Sequence, residues 1–85
     1  MHSFTEENYL KAIYHLSEGN TMAVSTNQIA EMTSTKAASV TDMLKKLAEK
    51  KLINYIKYQG VTLTGTGVNA AVNIIRKHRL WEVFL

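Results

Sequence analysis

The clearest pattern of apolar and polar positions lies in the stretch STKAASVTDMLKKLAEKK, residues 34–51. Its apolar side chains recur three or four positions apart, which is typical of a helix with one buried face. Ser34 or Thr35 can cap this helix, because a short side-chain oxygen accepts an unpaired backbone N–H at the N-terminus. The predicted buried stripe consists of Ala37, Val40, Leu44 and Leu47, with Met43 widening it.

The opposite face of this helix is polar, with small side chains in its first turns and cations in its later ones. Its members are Lys36, Ser39, Thr41, Asp42, Lys45, Lys46 and Glu49. A helix that reads bases in a DNA major groove needs slim side chains near the base edges and cations near the phosphates. An ordinary amphipathic helix with a solvated lysine face has the same pattern, so the neighbouring elements must decide.

A first helix is predicted from Phe4 to Glu18, near the start of the chain. Ser3 and Glu6 have the spacing of a capping box, in which two side chains satisfy the first backbone N–H groups. The helix is expected to end at Gly19-Asn20, because both residues tolerate a left-handed backbone.

A second helix is predicted to begin at a capping box formed by Ser25 and Gln28 and to end near Thr33. Its buried candidates are Ile29, Ala30 and Met32, and Met22 and Val24 in the connector are expected to point inward. A turn of about three residues separates it from the 34–51 helix. Two helices joined by so short a turn are typical of a helix-turn-helix.

After residue 51 the pattern changes from that of a helix to that of a hairpin. Residues 52–58 are rich in β-branched and aromatic side chains, Gln59-Gly60 is a turn signal, and residues 61–63 form the returning strand. Helix, helix, helix and hairpin is the order of a winged helix-turn-helix. The wing residues Lys57, Tyr58, Gln59 and Thr62 are candidates for phosphate or minor-groove contacts, unless the hairpin is purely structural.

A last helix is predicted from about Gly67 to the end, capped by Thr64 or Thr66. Its apolar stripe consists of Val68, Ala71, Val72 and Ile75. The end of the chain, LWEVFL, is more apolar than a monomer of this size can bury, which favours a partner surface. We expect this helix to dimerise, to lead into a further domain, or both.

Composition and charge narrow the function. The net charge is +3, and it divides into −3 over residues 1–34, +4 over 35–57 and +2 over 58–85, which favours a polyanionic partner. The absence of cysteine excludes a disulfide framework and a thiolate metal site within these residues. No signal peptide or membrane-length apolar run is evident, which predicts a cytoplasmic protein. No nucleophile–base–acid arrangement stands out, so an enzyme is not expected.

His78 and Glu82 are the candidate metal ligands that the spacing itself indicates. They lie four residues apart on the last helix and therefore share a face, from which an imidazole and a carboxylate can reach one divalent ion. A surface hydrogen bond or ion pair is the alternative. The neighbouring cations Arg76, Lys77 and Arg79 disfavour an isolated cation site.

Nearly the whole chain resembles the N-terminal DNA-binding domain of the diphtheria toxin repressor family, the iron- and manganese-dependent bacterial repressors. The stretches that carry this resemblance are EENYLKAIYHL, QIAEMTSTKAASVTDMLKKLAEKKLI, LTGTG and RKHRLWEVFL. The resemblance implies a cytoplasmic repressor of metal-homeostasis genes that binds a palindromic operator in double-stranded DNA as a homodimer when it is loaded with Mn²⁺ or Fe²⁺.

The resemblance also implies roles for single residues. His78 and Glu82 match metal ligands of the family, and Asn8 stands where members have a methionine or aspartate ligand. Lys11 replaces a glutamate ligand of the manganese-type members, and the remaining ligands belong to a following helix, so the site is expected to be incomplete here. Base-reading positions correspond to Lys36, Ala38 and Asp42, with Ala37 and Ser39 alongside them. Phosphate-binding positions correspond to Thr26, Asn27, Gln28, Ser39, Thr41 and Lys46, and Lys45 is expected to add affinity.

The sequence therefore predicts a mainly α fold with a small β-hairpin: a winged helix-turn-helix with a three-helix core, a two-stranded wing and a long C-terminal helix. Residues 1–64 would form the DNA-binding domain, and residues 65–85 a helix leading toward a dimerisation and metal-binding domain. The expected switch is a population shift in which metal joins the first helix to the last. The alternatives are a metal-independent winged-helix regulator and a winged-helix protein–protein interaction module that uses Trp81, Val83 and Phe84.

Overall fold

The computed structural model describes the backbone of residues 4–56 and 60–84 and the side chains of residues 5–56 and 60–77. Its elements follow the order of a winged helix-turn-helix, which confirms the predicted fold class. They are α1 (Phe4–Leu16), α2 (Thr26–Thr33), α3 (Ala37–Glu49), β1 (Ile53–Ile56), β2 (Gly60–Leu63) and α4 (Gly65–Phe84). None of the described helices is long and apolar enough to cross a membrane.

The core lies where α1, α2 and α3 converge on the hairpin and on the first half of α4. Leu10 and Ile13 of α1 are fully buried, and so are the stripe residues Val40, Leu44 and Leu47 of α3. Each such side chain contributes roughly 1.5–3 kcal/mol through removal of apolar surface from water. Burial of this stripe fixes which face of α3 is left to solvent.

The hairpin is antiparallel, and a third segment extends it. Ile53 pairs with Leu63 and Ile56 with Gly60, and Val24 exchanges two backbone hydrogen bonds with Val61, at 2.9 and 2.8 Å. Val24 is buried, as its position in the connector predicted. The segment before α2 is therefore held to the wing by a single antiparallel β-bridge.

The connector after α1 is fixed by an unusual run of left-handed residues. Glu18, Gly19 and Asn20 have φ values of 50°, 76° and 72°, so α1 ends at Leu16, two residues before the predicted end. The Asn20 side chain then pairs with β2 as a strand would: its Nδ2 donates to the Leu63 carbonyl at 3.0 Å, and its Oδ1 accepts from the Leu63 N–H at 2.8 Å.

The junction between the hairpin and α4 is tightly packed. Thr64 Oγ1 accepts from the Gly67 N–H at 3.0 Å, which confirms Thr64 as a cap, although α4 begins at Gly65 and not near Gly67. The same hydroxyl donates to the Lys51 carbonyl at 2.7 Å. A Cβ atom on Gly67 would lie 1.9 Å from the Leu52 carbonyl oxygen, so this close approach requires glycine.

Two methionines and one helix stripe differ from the sequence-based predictions. The predicted inward residues Met22 and Met32 are 49% and 51% exposed. Within the part of α4 whose side chains are described, Gly67, Ala71 and Ile74 are buried, and the predicted stripe residues Val72 and Ile75 are half-exposed. The periodicity of α4 predicted a helix correctly but predicted the wrong centre for its buried face. Apolar side chains occupy several sides of its first half, so the pattern does not identify one face clearly.

Candidate nucleic-acid interface

The turn between α2 and α3 sets the angle of the exposed helix. The predicted capping box at the start of α2 is present: Gln28 N–H donates to Ser25 Oγ at 3.1 Å, and Ser25 N–H donates to Gln28 Oε1 at 2.9 Å. At the other end, Ser34 adopts a left-handed conformation with φ of 53° and closes α2. Thr35 N–H donates to the Ala30 carbonyl at 2.9 Å, which holds the turn against the last turn of α2.

The N-terminus of α3 differs from the prediction at its cap. Lys36 is the N-cap, in an extended conformation and without a side-chain cap hydrogen bond. Ser34 does not cap α3, because it terminates α2. The Thr35 hydroxyl does not cap it either, because it donates to the Thr33 carbonyl at 3.0 Å. The N-cap side chain therefore accepts no hydrogen bond from the first backbone N–H groups of α3.

The first turn of α3 presents small side chains to solvent. Ala37, Ala38 and Ser39 are all exposed, and Val40 is the first buried residue. The prediction that Ala37 belongs to the buried stripe is therefore wrong, because the first turn projects beyond the elements that cover Val40. The correction enlarges the surface of small residues that is available to a partner.

The later turns of α3 carry the charges. Asp42, Lys45 and Lys46 are exposed, whereas Thr41 is half-buried and donates its hydroxyl to the Ala37 carbonyl at 3.1 Å. Within the part of the chain that the structure describes, Asp42 makes no ion pair. The exposed face of α3 thus passes from small residues through one carboxylate to two ammonium groups.

The start of α2 lies at the edge of the same surface. Asn27 and Gln28 are exposed and Thr26 is half-exposed. These three predicted phosphate-binding residues line a shallow groove whose other wall is the hairpin, with Tyr55, Ile56 and Gly60. The structure therefore brings the predicted positions of α2 alongside the wing.

Tyr55 joins this groove to α3, and sequence reasoning did not single it out. It also lines a groove against α3 with Thr41, Lys45 and Ala48. Its position in a strand of mixed apolar and polar residues gave no signal of exposure, and only the packing of the hairpin against α3 shows it. Of the predicted wing contacts, Thr62 is half-exposed, whereas Lys57, Tyr58 and Gln59 lie outside the described residues.

An ion pair holds the far end of α3. Lys50 Nζ lies 2.7 Å from each carboxylate oxygen of Glu6, at the start of α1. Glu6 is only 8% exposed, and its Lys50 partner belongs to the C-cap of α3. Together with the turn after α2, this contact anchors both ends of the exposed helix.

The candidate metal ligands are only partly described. Asn8 lines a groove between α1 and the end of α2, and Lys11 lines the same groove. An amide oxygen beside an ammonium group is a poor donor set for a divalent cation. Among the residues whose side chains the structure describes, no three His, Asp or Glu side chains converge on one point, so these residues alone do not fit a metal centre.

His78 and Glu82 lie within α4, but their side chains are outside the described residues. The preceding residue, Lys77, has its Nζ 3.8 Å from Glu7 Oε1, one residue before Asn8 in α1. This pair shows that the middle of α4 runs alongside the first half of α1. The convergence of His78, Glu82 and Asn8 stays a prediction.

Comparison with known proteins extends these observations. The sequence model of the family described as "Iron dependent repressor, N-terminal DNA binding domain" matches residues 1–61. An HTH-type transcriptional regulator from Methanocaldococcus jannaschii is 37% identical over 79 residues, which cover 93% of this chain and 63% of that protein. The HTH-type transcriptional regulator MntR of Oceanobacillus iheyensis is 35% identical, with 93% and 53% covered.

Among solved structures, that of the manganese regulator SloR superposes with a TM-score of 0.79 at 46% identity, covering 94% of this chain and 37% of SloR. The chain thus spans less than two thirds of the length of each of these relatives. The match to the family covers most of the chain, including all of α2, α3 and β1. The chain therefore belongs to the iron-dependent repressor family, of which it carries the N-terminal DNA-binding domain.

Proposed function

We propose that this chain binds double-stranded DNA through α3 and the start of α2, as part of a metal-dependent transcriptional repressor of metal-homeostasis genes. The observation that carries the proposal is the exposed face of α3, on which Ala37, Ala38 and Ser39 precede Lys45 and Lys46. Small side chains let a helix approach the base edges closely, and ammonium groups about two turns later meet the flanking phosphates.

We assign each predicted contact a role in this proposal, including Gln59, which lies outside the described residues. Lys36 stands at the N-cap, beside Ala37, Ala38 and Ser39, and Asp42 follows one turn later, so these residues face the bases. The phosphate contacts fall to the remaining polar positions on both sides of the reading helix. They are Thr26, Asn27, Gln28, Thr41, Lys45, Lys46 and, in the wing, Gln59.

The test is DNA binding measured as a function of salt. Each phosphate that a lysine neutralises releases counterions, so replacing Lys45 and Lys46 by alanine should lower the slope of log affinity against log salt by about two. The control is the double change Arg76→Ala and Lys77→Ala, which removes the same charge from exposed positions of α4. Equal effects of both pairs, or binding that is insensitive to salt, would contradict the proposed interface.

We further propose that the complete protein is a cytoplasmic homodimer that recognises a palindromic operator and responds to Mn²⁺ or Fe²⁺. Support comes from the spacing of His78 and Glu82 and from the relatives, one of which is a manganese regulator. Asn8 is the third proposed ligand, through its amide oxygen. The side chains of His78 and Glu82 lie outside the described residues, so we assign no geometry to this site.

The metal proposal is tested separately from DNA binding. With His78 replaced by alanine in the complete protein, operator affinity should no longer rise on addition of Mn²⁺ or Fe²⁺, whereas the affinity measured with a chelator should equal that of the wild type. If wild-type affinity is the same with metal and with chelator, the protein is a metal-independent regulator and only the DNA-binding proposal stands.

A further inference from the structure

Tyr55 stands at the meeting point of two grooves on the proposed interface. On one side it lines a groove together with Thr41, Lys45 and Ala48 of α3. On the other side it faces the start of α2, with Thr26 among the lining residues. Among the described residues, Tyr55 is the one that lines both grooves.

The position of Tyr55 is fixed by the sheet and not by burial of its ring. Its strand partner is Val61, which is fully buried and bonded on its other side to Val24. The Tyr55 side chain itself remains 45% exposed, and its neighbour Ile56 is 47% exposed. A rigid backbone thus presents a large, half-exposed aromatic ring with a hydroxyl, which matches a wet partner surface better than a protein core.

Charge complementarity indicates which partner this surface fits. Lys45 lines the same groove as Tyr55, and Lys46 follows it on α3. The groove continues to the polar start of α2 with no acidic side chain among its described lining residues. A polyanionic strand that crosses from α3 to the wing would lie over the Tyr55 ring.

We propose that Tyr55 binds the sugar–phosphate backbone of duplex DNA at the edge of the major groove that α3 enters. Its hydroxyl donates a hydrogen bond to a phosphate oxygen, and its ring packs against the adjoining deoxyribose, next to Lys45. The inference rests on the proposed DNA-binding function and adds a residue and a ligand group to it. Because the phosphate backbone is the same for every sequence, Tyr55 contributes affinity without choosing bases.

The test uses Tyr55→Phe, which keeps the ring and removes only the hydroxyl. Binding of the 85-residue chain to two fluorescent 24-base-pair duplexes of different sequence is measured by anisotropy at several salt concentrations. Tyr55→Phe should weaken binding about tenfold or more on both duplexes, the effect of one hydrogen bond to a charged acceptor. The salt slope should stay unchanged, because no charge is removed. Tyr14→Phe, the same change on α1, should bind as the wild type does.

A second variant tests whether Tyr55 lies next to a phosphate without relying on the energy of one hydroxyl hydrogen bond. Tyr55→Arg places a cation at the proposed phosphate and should steepen the salt slope by about one on both duplexes. Unchanged binding of Tyr55→Phe together with an unchanged slope for Tyr55→Arg would overturn the inference. A loss confined to one duplex would also overturn it, since that indicates base reading. Failure of the wild-type chain to bind either duplex would instead refute the proposal that this chain by itself binds DNA through α3 and the start of α2.

Discussion

Lys50 Nζ donates to both carboxylate oxygens of Glu6, across 44 residues of sequence. The contact joins the C-cap of α3 to the first turn of α1, and the Glu6 side chain is nearly buried whereas that of Lys50 is about half exposed. A largely buried carboxylate needs such a partner, because desolvation penalises its charge. This pair therefore stabilises the orientation of the exposed helix α3 relative to the rest of the domain.

Breaking this pair should lower the free energy of unfolding. We expect Lys50→Met to cost about 1 kcal/mol, a value below that of a fully buried pair because Lys50 is partly exposed. Urea denaturation of Lys50→Met, Glu6→Gln and the double variant gives the coupling energy. Lys45→Met, on the exposed face of the same helix, should have no comparable effect. A coupling energy near zero would show that the contact does not contribute to stability.

The two glycines at the start of α4 should respond oppositely to alanine. A Cβ atom on Gly67 would meet the Leu52 carbonyl oxygen, whereas one on Gly65 has no neighbour within 4 Å. We expect Gly67→Ala to lower the free energy of unfolding by about 2 kcal/mol or more. Gly65→Ala should be neutral or stabilise by up to about 1 kcal/mol, because alanine restricts the unfolded chain. Similar melting temperatures for the two variants would contradict the packing at this junction.

Lys51 occupies the position after the end of α3 where glycine is favoured. Its φ is 61°, and the hydrogen bonds from Leu52 N–H to Leu47 and from Lys51 N–H to Ala48 form a Schellman motif. Lys51→Gly should raise the free energy of unfolding by about 0.5–1 kcal/mol, because glycine has no Cβ to oppose this conformation. Lys51→Ala removes the same charge but keeps the Cβ, and it should give no gain. A gain from alanine equal to that from glycine would assign the effect to charge.

Asp42 should influence which base pairs the domain prefers. It lies about two residues, or roughly 200°, around α3 from the buried Val40, so its carboxylate is at the centre of the exposed face. A carboxylate there repels phosphate but accepts from the amino group of cytosine, so Asp42→Asn should shift the preference at one base pair toward adenine. Selection from a random duplex library reports the change.

Glu49→Gln is the matched control for Asp42→Asn, because it removes the same charge two turns further along the exposed face of α3. It should leave the selected sequence unchanged. If both variants select the wild-type sequence and bind every duplex more tightly, Asp42 acts only by repulsion and does not read a base.

The sequence predicted the elements of this fold because they depend on short-range patterns. The stripe Val40, Leu44 and Leu47, and the capping box of Ser25 and Gln28, each lie within two turns of one helix. The wrong assignments depended on what surrounds an element. Ala37 has helical spacing but lies beyond the part of α3 that other elements cover. Ser34 has a side chain suited to an N-cap, but its left-handed conformation makes it the C-cap of α2 instead.

The candidate site was predictable to the same degree. The exposed residues of α3 followed from the helical period, because knowing the buried face fixes the opposite one, whereas the positions at the start of α2 followed from the family resemblance. Tyr55 did not follow, since a strand of mixed composition gives no indication of which residues a neighbouring helix leaves uncovered. The Glu6–Lys50 pair could not be predicted either, because no local sequence pattern relates two residues so far apart in the chain.

The double use of Thr64 has a mechanical consequence for the domain. Its hydroxyl joins the Lys51 carbonyl to the Gly67 N–H, and its own N–H donates to the Leu52 carbonyl at 3.1 Å. The segment after α3 and the first turn of α4 are thereby hydrogen-bonded to one residue at the base of the wing. Neither of these two helix ends can shift relative to the other without breaking a hydrogen bond of Thr64.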